Sequence, residues 1–127
     1  MVPADLRFTK EHEWVRVDGD LATIGVTAHA ADQLGDIVFV DRPPVGRAFA
    51  QHATFGGVES VKAVSDLFAP VGGEVVETND DALRGSPELV NSDPYGQGWM
   101  LRVRLADPSQ VSGLLDAVAY EALIAEA

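Results

Sequence analysis

The 127-residue sequence contains no cysteine. This absence excludes disulfide bonds, thiolate nucleophiles and cysteine-ligated metal sites, so any redox chemistry would have to come from a cofactor. Basic residues are also scarce, because nine lysines and arginines stand against twenty aspartates and glutamates, giving a formal net charge of −11. A surface of this charge repels phosphate backbones and anionic lipid. We therefore expect neither nucleic acid nor a membrane as a partner.

Long apolar runs are missing as well, and none approaches the length of a membrane span. Residues 1–7 lack the apolar core of a signal peptide, so we expect a cytoplasmic protein. The apolar fraction of 46% is that of a globular chain. We expect residues 1–127 to form a single domain, which at this length buries about two-thirds of its unfolded surface.

Recognisable catalytic constellations are also absent from the sequence. The three histidines, His12, His29 and His52, lie in separate segments, and none has a partner at metal-ligand spacing. There is no Gly-x-Ser-x-Gly turn and no glycine loop of the kind that cradles phosphate before a helix. The sequence thus predicts no catalytic residue and no metal site, and it favours a protein that is not an enzyme.

The pattern of residues that is present predicts many short strands separated by turns. Alternating apolar and polar residues indicate strands near 6–8, 14–17, 21–26, 36–41, 48–50, 54–58, 63–68, 74–78 and 99–105. Short helices are predicted over 28–34, 82–84 and 88–90, with a helical segment at about 108–127 that is interrupted near Asp116. Tyr120, Leu123, Ile124 and Ala127 fall at helical spacing and predict a packing stripe in this segment. This arrangement is typical of a mainly β fold, either a compact sandwich or a flattened antiparallel barrel with peripheral and C-terminal helices.

One lysine is distinguished by its surroundings. Small apolar and polar residues alternate on both sides of Lys62, as in two half-buried strands joined by a tight turn. The only other lysine is Lys10, and the remaining seven basic residues are arginines. An exposed amine can be acylated, whereas a guanidinium stays protonated and is a poor acyl acceptor. The pattern leaves two interpretations open, a modification site and an ordinary solvated turn lysine.

Several motifs, in the same order along the chain, resemble the glycine cleavage system H protein family. Residues 59–66, followed by 69–75, resemble its lipoyl attachment hairpin. The other similar segments are His12-Glu13-Trp14, 22–27, 33–40, 87–96 and Gly98-Trp99. The resemblance covers roughly residues 6–125 and implies a barrel-sandwich hybrid of the lipoyl-domain type, with the lipoyl hairpin at about 54–78. Departures from the family pattern at Ala28, 42–44 and 72–73 leave the attachment lysine and its nearest neighbours untouched.

The resemblance implies that lipoic acid is joined by an amide bond to Lys62. Four neighbours would be read by the lipoyl or octanoyl transferase or lipoate ligase that attaches it: Glu59, Ser60, Val61 and Ala63. The loaded carrier would take the aminomethyl group of glycine from a pyridoxal-phosphate glycine decarboxylase to a tetrahydrofolate-dependent aminomethyltransferase. A dihydrolipoamide dehydrogenase would reoxidise it. The chain itself would be a non-catalytic carrier, and we expect a monomer.

The resemblance also assigns two carboxylates, Glu13 and Asp66, to docking of the loaded arm. A carboxylate can hold the terminal amine by a charge-assisted hydrogen bond. Each of the two could instead be an ordinary surface carboxylate. Trp14, beside Glu13, is expected in the core, and His29 is expected at the surface.

Other carriers fit the sequence less well. A biotin carrier would have methionines where Val61 and Ala63 flank the lysine. A lipoyl domain of a 2-oxo-acid dehydrogenase usually has aspartate before the lysine and a flexible linker to further domains. A phosphopantetheine carrier would need a serine at a helix start in an all-helical fold. The alternative that stays open is an H-like protein whose lipoyl group serves lipoate relay or a regulatory system.

Overall fold

The computed structural model describes residues 2–126. Its strands are β1 (Arg7–Phe8), β2 (Glu13–Asp18), β3 (Leu21–Val26), β4 (Ile37–Asp41), β5 (Ala48–Phe49), β6 (Thr54–Ser60), β7 (Val64–Phe68), β8 (Gly73–Thr78) and β9 (Leu101–Leu105). Its helices are α1 (Ala28–Leu34), α2 (Asp80–Gly85), α3 (Leu89–Ser92), α4 (Ser109–Ser112) and α5 (Ala117–Ala125). None of the helices in this part of the chain is long and apolar enough to cross a membrane.

The strands form two antiparallel sheets. The large sheet has the order β1-β2-β3-β9-β8-β5, and the small sheet has the order β4-β6-β7. One apolar cluster draws buried side chains from both sheets, among them Ile24, Val58, Leu67, Val75 and Val103. The predicted mainly β, antiparallel fold is confirmed. Over residues 2–126 no strand ladder joins the two sheets, so the arrangement is an open sandwich rather than a closed barrel.

Glycines allow backbone segments to approach one another closely at two points in the sheets. A Cβ atom at Gly56 would clash with the carbonyl of Asp41, and one at Gly73 would clash with the carbonyl of Arg104. Gly56 also lies at a register shift between β6 and β7, where a bulge bends the strand. Gly56 and Gly73 therefore allow close backbone approach, as glycine in strands often does.

A second apolar cluster joins the C-terminal helix to the edge of the large sheet. The rings of Phe8 on β1 and Tyr120 on α5 stack with centroids 4.7 Å apart. Trp14 is fully buried in this cluster, and its indole nitrogen donates to the carbonyl of Pro94 at 3.0 Å. The predictions of a core Trp14 and of a C-terminal packing stripe are confirmed for the described residues. Ala127, the last residue predicted for the stripe, lies outside them.

Some predicted boundaries are wrong. The predicted strand at 99–105 begins only at Leu101, because the Trp99 carbonyl accepts from Asn79 and its ring packs 4.0 Å from the guanidinium of Arg102. The hairpin that carries Lys62 comprises β6 and β7 alone, since β8, at the end of the range predicted for it, pairs with β9 and β5 in the large sheet. The predicted interruption of the C-terminal helical segment near Asp116, by contrast, is confirmed, because α4 ends at Ser112 and Asp116 caps α5.

Candidate functional site

Lys62 lies in the turn between β6 and β7. The Ser60 amide donates to the carbonyl of Ala63 at 2.8 Å and so closes the turn. The Ser60 hydroxyl oxygen accepts from the amides of Lys62 at 3.3 Å and Ala63 at 3.1 Å. A serine side chain bonded to nearby backbone amides is a usual way to organise a tight turn. The local sequence therefore fixes the turn and leaves Lys62 exposed.

The structure brings the four predicted recognition residues together around the lysine. Glu59 and Ser60 end β6, and Val61 and Ala63 flank Lys62 in the turn. Glu59, Val61 and Ala63 are exposed, while Ser60 is half-buried because its side chain folds over the turn. An enzyme that approaches the lysine would therefore meet all four residues.

The loop between α1 and β4 lies beside the turn. The carbonyl of Asp36 accepts from the amide of Val61 at 3.0 Å. The Lys62 side chain passes over Gly35, with its Cε atom 3.4 Å from where a Cβ of Gly35 would stand. Gly35 has a φ of +82°, a conformation that favours glycine. Within residues 2–126 no carboxylate pairs with the Lys62 amine, so the amine extends past this loop without an ionic partner.

Exposed apolar side chains surround the turn. The apolar collar consists of Val38, Phe39, Val61 and Val64, whose exposed fractions are 51%, 52%, 69% and 76%. A register shift between Ile37 and Phe39 places both Val38 and Phe39 at the surface, although neighbouring residues in a regular strand face opposite sides. Clustered exposed apolar surface on a protein marks interaction sites. The collar makes the turn a candidate contact surface.

Glu13, one of the two predicted docking carboxylates, is buried. Only 1% of its surface is exposed. Its Oε1 accepts from the hydroxyl of Thr9 at 2.6 Å, and its Oε2 lies 3.4 Å from the amide of Phe68 on β7. Burial raises the pKa of Glu13 to about 7, and the hydrogen bonds from Thr9 and Phe68 oppose that rise. The interpretation of Glu13 as an ordinary surface carboxylate is wrong.

Asp66, the second predicted docking carboxylate, lies on β7 opposite Gly57 and is exposed. Phe68, whose amide faces Glu13, is two residues further along the same strand. Both carboxylates therefore lie at β7: Glu13 contacts the strand from the protein interior, and Asp66 belongs to it and lies at the surface. Their role in docking the arm stays a prediction.

The structure also brings together residues that the sequence placed apart. The rings of His12 and His29 lie 4.8 Å apart, and His29 is half-buried rather than fully at the surface. The Nδ1 of His12 lies 2.8 Å from the hydroxyl of Tyr120, which is 2.7 Å from the hydroxyl of Thr27. Burial is the main reason that the pKa of His12 lies below its usual value and that the pKa of Tyr120 is about 12. No group of three metal-binding side chains forms among the described residues.

A sequence signal for part of this arrangement existed in the hairpin of β2 and β3. Its tight turn pairs Asp18 with Leu21 and carries the register back to Glu13 and Val26. One more step places His12 beside Thr27, where the Thr27 amide donates to the His12 carbonyl at 3.0 Å. Counting back from the turn would therefore have placed His12 next to the start of α1. Nothing local indicated that Tyr120 would join them.

Comparison with known proteins connects this site to one family. The family model described as Glycine cleavage H-protein matches residues 6–127. A glycine cleavage system H protein of Phenylobacterium zucineum is 59% identical over 120 residues, covering 94% of this chain and 98% of that protein. The corresponding protein of Symbiobacterium thermophilum is 55% identical over 125 residues, covering 98% and 97%.

A solved structure agrees with these relatives. The crystal structure of a glycine cleavage system H protein from Mycobacterium marinum superposes with a TM-score of 0.89 at 38% sequence identity. The match covers 98% of this chain and 99% of that one. Because the family match and the relatives both extend over nearly the whole sequence, the chain belongs to the glycine cleavage H-protein family.

Proposed function

We propose that the chain is the lipoyl carrier of a glycine cleavage system, with lipoic acid bound through an amide to Lys62. The observation that supports this most directly is an exposed lysine without an ionic partner, at the tip of a closed hairpin, in a chain of this family. An amide at Nζ removes the charge of the amine, and no carboxylate of the described residues would lose a partner.

The surroundings of Lys62 fit the cofactor. Gly35 leaves space beneath the lysine side chain, and the apolar collar offers aliphatic surface next to it. The bound group would supply a redox-active pair of sulfur atoms, which a chain without cysteine does not have. The residues of the chain hold the turn and present the amine.

The proposed role is transport between enzymes. The carrier takes the aminomethyl group of glycine from glycine decarboxylase to aminomethyltransferase, and dihydrolipoamide dehydrogenase reoxidises it. Each chemical step belongs to a partner, so the chain itself is not an enzyme. We propose that it acts in the cytoplasm as a monomer and a single carrier domain.

The apolar collar is the proposed contact surface for these enzymes and for the lipoyl or octanoyl transferase or lipoate ligase. Exposed carboxylates of Asp36, Glu59 and Asp66 accompany the collar, and the whole chain carries a formal net charge of −11. A partner that combines an apolar centre with a basic rim would complement this surface, and its opposite charge would speed association. Glu59, Ser60, Val61 and Ala63 would be the residues read around the lysine.

Docking of the loaded arm at Glu13 and Asp66 is part of the same proposal. Asp66 is open to solvent, whereas an amine can reach Glu13 only if the contact with Thr9 or Phe68 gives way. A cation beside Glu13 would favour its ionised form and lower its pKa from about 7. The buried carboxylate would then gain the partner that a buried charge needs.

The proposal is tested by the intact mass of the protein from lipoylating cells. The wild-type chain and Lys10→Arg should both carry the lipoyl mass increment, whereas Lys62→Arg should lose it completely. An increment on Lys62→Arg would contradict the assigned site. The lipoylated chain should also support glycine–bicarbonate carbon exchange by glycine decarboxylase. Lipoylation without that exchange would favour lipoate relay or a regulatory role.

A further inference from the structure

Asn91 connects three backbone groups around the loop between α1 and β4. Its Nδ2 donates to the carbonyl of Gly35 at 2.9 Å and approaches the carbonyl of Ala31 at 3.4 Å. Its Oδ1 accepts from the amide of Ile37 at 2.9 Å. An asparagine side chain has both a donor and an acceptor, so one residue can fix the end of a helix and the start of a strand.

The loop that Asn91 holds is the one that contacts the lysine turn. Gly35 and Ile37 flank Asp36, whose carbonyl accepts from the amide of Val61. Gly35 also lies against the aliphatic part of the Lys62 side chain. The next two amides of the turn, by contrast, bond only to the hydroxyl of Ser60, within the turn itself. The Asp36 carbonyl therefore attaches the turn to the loop between α1 and β4, in addition to the pairing of β6 with β4.

We propose that Asn91 is a positioning residue for Lys62. By fixing Gly35 and Ile37 on either side of Asp36, it sets the place of the turn and the direction in which the lysine amine meets an acylating enzyme. The inference rests on the proposed function of Lys62 and adds a specific residue, 29 positions away along the chain, that controls its presentation. Asn91 does not itself touch the reacting amine.

Asn79 provides a matched control. Its Nδ2 also donates to two backbone carbonyls, those of Gln97 at 2.7 Å and Trp99 at 2.8 Å. These carbonyls precede β9, and no hydrogen bond within residues 2–126 joins this part of the fold to the turn around Lys62. Asn91→Ala and Asn79→Ala should therefore both reduce the free energy of unfolding, while only the first should alter the turn.

The experiment compares these two variants with the wild-type chain by two measurements. The first is the hydrogen-exchange rate of the Val61 amide, which should rise about tenfold in Asn91→Ala and stay near the wild-type rate in Asn79→Ala. The second is acylation of Lys62 by a lipoate ligase supplied with lipoate and ATP. We expect kcat to fall roughly fivefold in Asn91→Ala with KM changed less than about twofold, because the contact surface remains while the amine is misplaced.

Gly35→Ala serves as a second variant if Asn91→Ala does not fold. It adds a Cβ against Lys62 at a positive φ and should lower kcat in the same way. Equal behaviour of the Asn91 and Asn79 variants in both measurements would overturn the inference. A wild-type chain that is not acylated at Lys62 would instead overturn the proposed function, and exchange of the Val61 amide would still show whether Asn91 holds the turn.

Discussion

Two regions depart from the usual distribution of residues: the turn around Lys62, and a polar cluster of Glu13, Thr27 and Tyr120, which are buried, and His12, which is half-buried. The turn carries valines at the surface, while the cluster holds a carboxylate and two hydroxyls in the interior. The hydrogen bonds of the Ser60 hydroxyl in the turn join residues that are two or three positions apart in the sequence. Those of Tyr120 span 93 and 108 residues.

The difference shows which part of the fold each region serves. Local hydrogen bonds keep the shape of the turn without tying its surface to the rest of the protein, so a partner can cover it. Long-range hydrogen bonds join α5 to the β2–α1 region, and their loss would leave buried polar groups without partners. A buried group left unsatisfied costs about 1–3 kcal/mol, whereas water replaces most of an exposed hydrogen bond. Stability and presentation of the lysine should therefore respond to different mutations.

The largest expected effect concerns the charge of Glu13. Its pKa is about 7 in the folded chain against 4.5 for the free group, a difference that corresponds to about 3 kcal/mol. Because the folded pKa is the higher one, the folded state keeps its proton longer. The stability that the folded chain gains from holding this proton is therefore complete below about pH 4.5. It is lost as the pH rises through 7, where Glu13 ionises in the folded chain. Relative to the wild-type chain, Glu13→Gln should thus gain about 3 kcal/mol between pH 4 and pH 8.

The measurement is urea unfolding of both proteins across that pH range. Glu59→Gln is the matched control, because it removes a carboxylate from an exposed strand position where water screens its interactions. Its difference from the wild-type chain should change clearly less over the same range than that of Glu13→Gln. If the difference in the free energy of unfolding between Glu13→Gln and the wild-type chain also stayed constant with pH, the buried carboxylate would ionise without a cost in stability. The two regions would then not differ in their electrostatics.

The turn and most strands could be predicted because their signals are local. Alternation of apolar and polar residues indicates β6 and β7. The two strands are separated by so few residues around Lys62 that the connection must be a tight turn. Lys62 and its four neighbours lie within five consecutive positions, so a correct hairpin places them all. The apolar collar was not predicted. A bulge brings Val38 and Phe39 to the surface together, which strict alternation does not allow.

The cluster could not be predicted because its contacts depend on how distant elements pack. A glutamate at the start of β2 is ordinarily an exposed residue, but Thr9 and the approach of Phe68 from the other sheet enclose Glu13. Tyr120 was correctly predicted to pack, but the helical pattern gives no information on what its hydroxyl meets. The three hydrogen bonds of Asn91 likewise join α1, α3 and β4, which no sequence window contains together.

The next largest effect is expected from removal of the Tyr120 hydroxyl. Tyr120→Phe keeps the ring that stacks on Phe8 and leaves His12 and Thr27 without their shared partner. We expect the free energy of unfolding in urea to fall by about 2 kcal/mol with an unchanged m-value, because buried polar groups lose hydrogen bonds while the exposed area stays the same. Lipoylation of Lys62 should remain at the wild-type rate.

Tyr95→Phe is the control for this change. The Tyr95 hydroxyl accepts a single hydrogen bond, from the amide of Ala28, and the residue is only half-buried. Its loss should cost clearly less than the loss of the Tyr120 hydroxyl. If both variants lost the same stability, or if Tyr120→Phe slowed lipoylation, the cluster and the turn would not be the independent regions that their hydrogen bonds indicate.

The smallest effect on stability is expected at Ser60, where function should respond more than folding. Ser60→Ala removes the oxygen that accepts from the amides of Lys62 and Ala63, but both amides can bond to water instead. The free energy of unfolding should therefore change by less than about 0.5 kcal/mol. The initial rate of lipoylation should fall about threefold, because the turn that presents the lysine loses two hydrogen bonds that hold its shape. Ser65→Ala, which removes an exposed hydroxyl from β7, should alter neither quantity. A Ser60→Ala variant that lost stability but kept the wild-type rate would show that the turn contributes to folding rather than to presentation of the lysine.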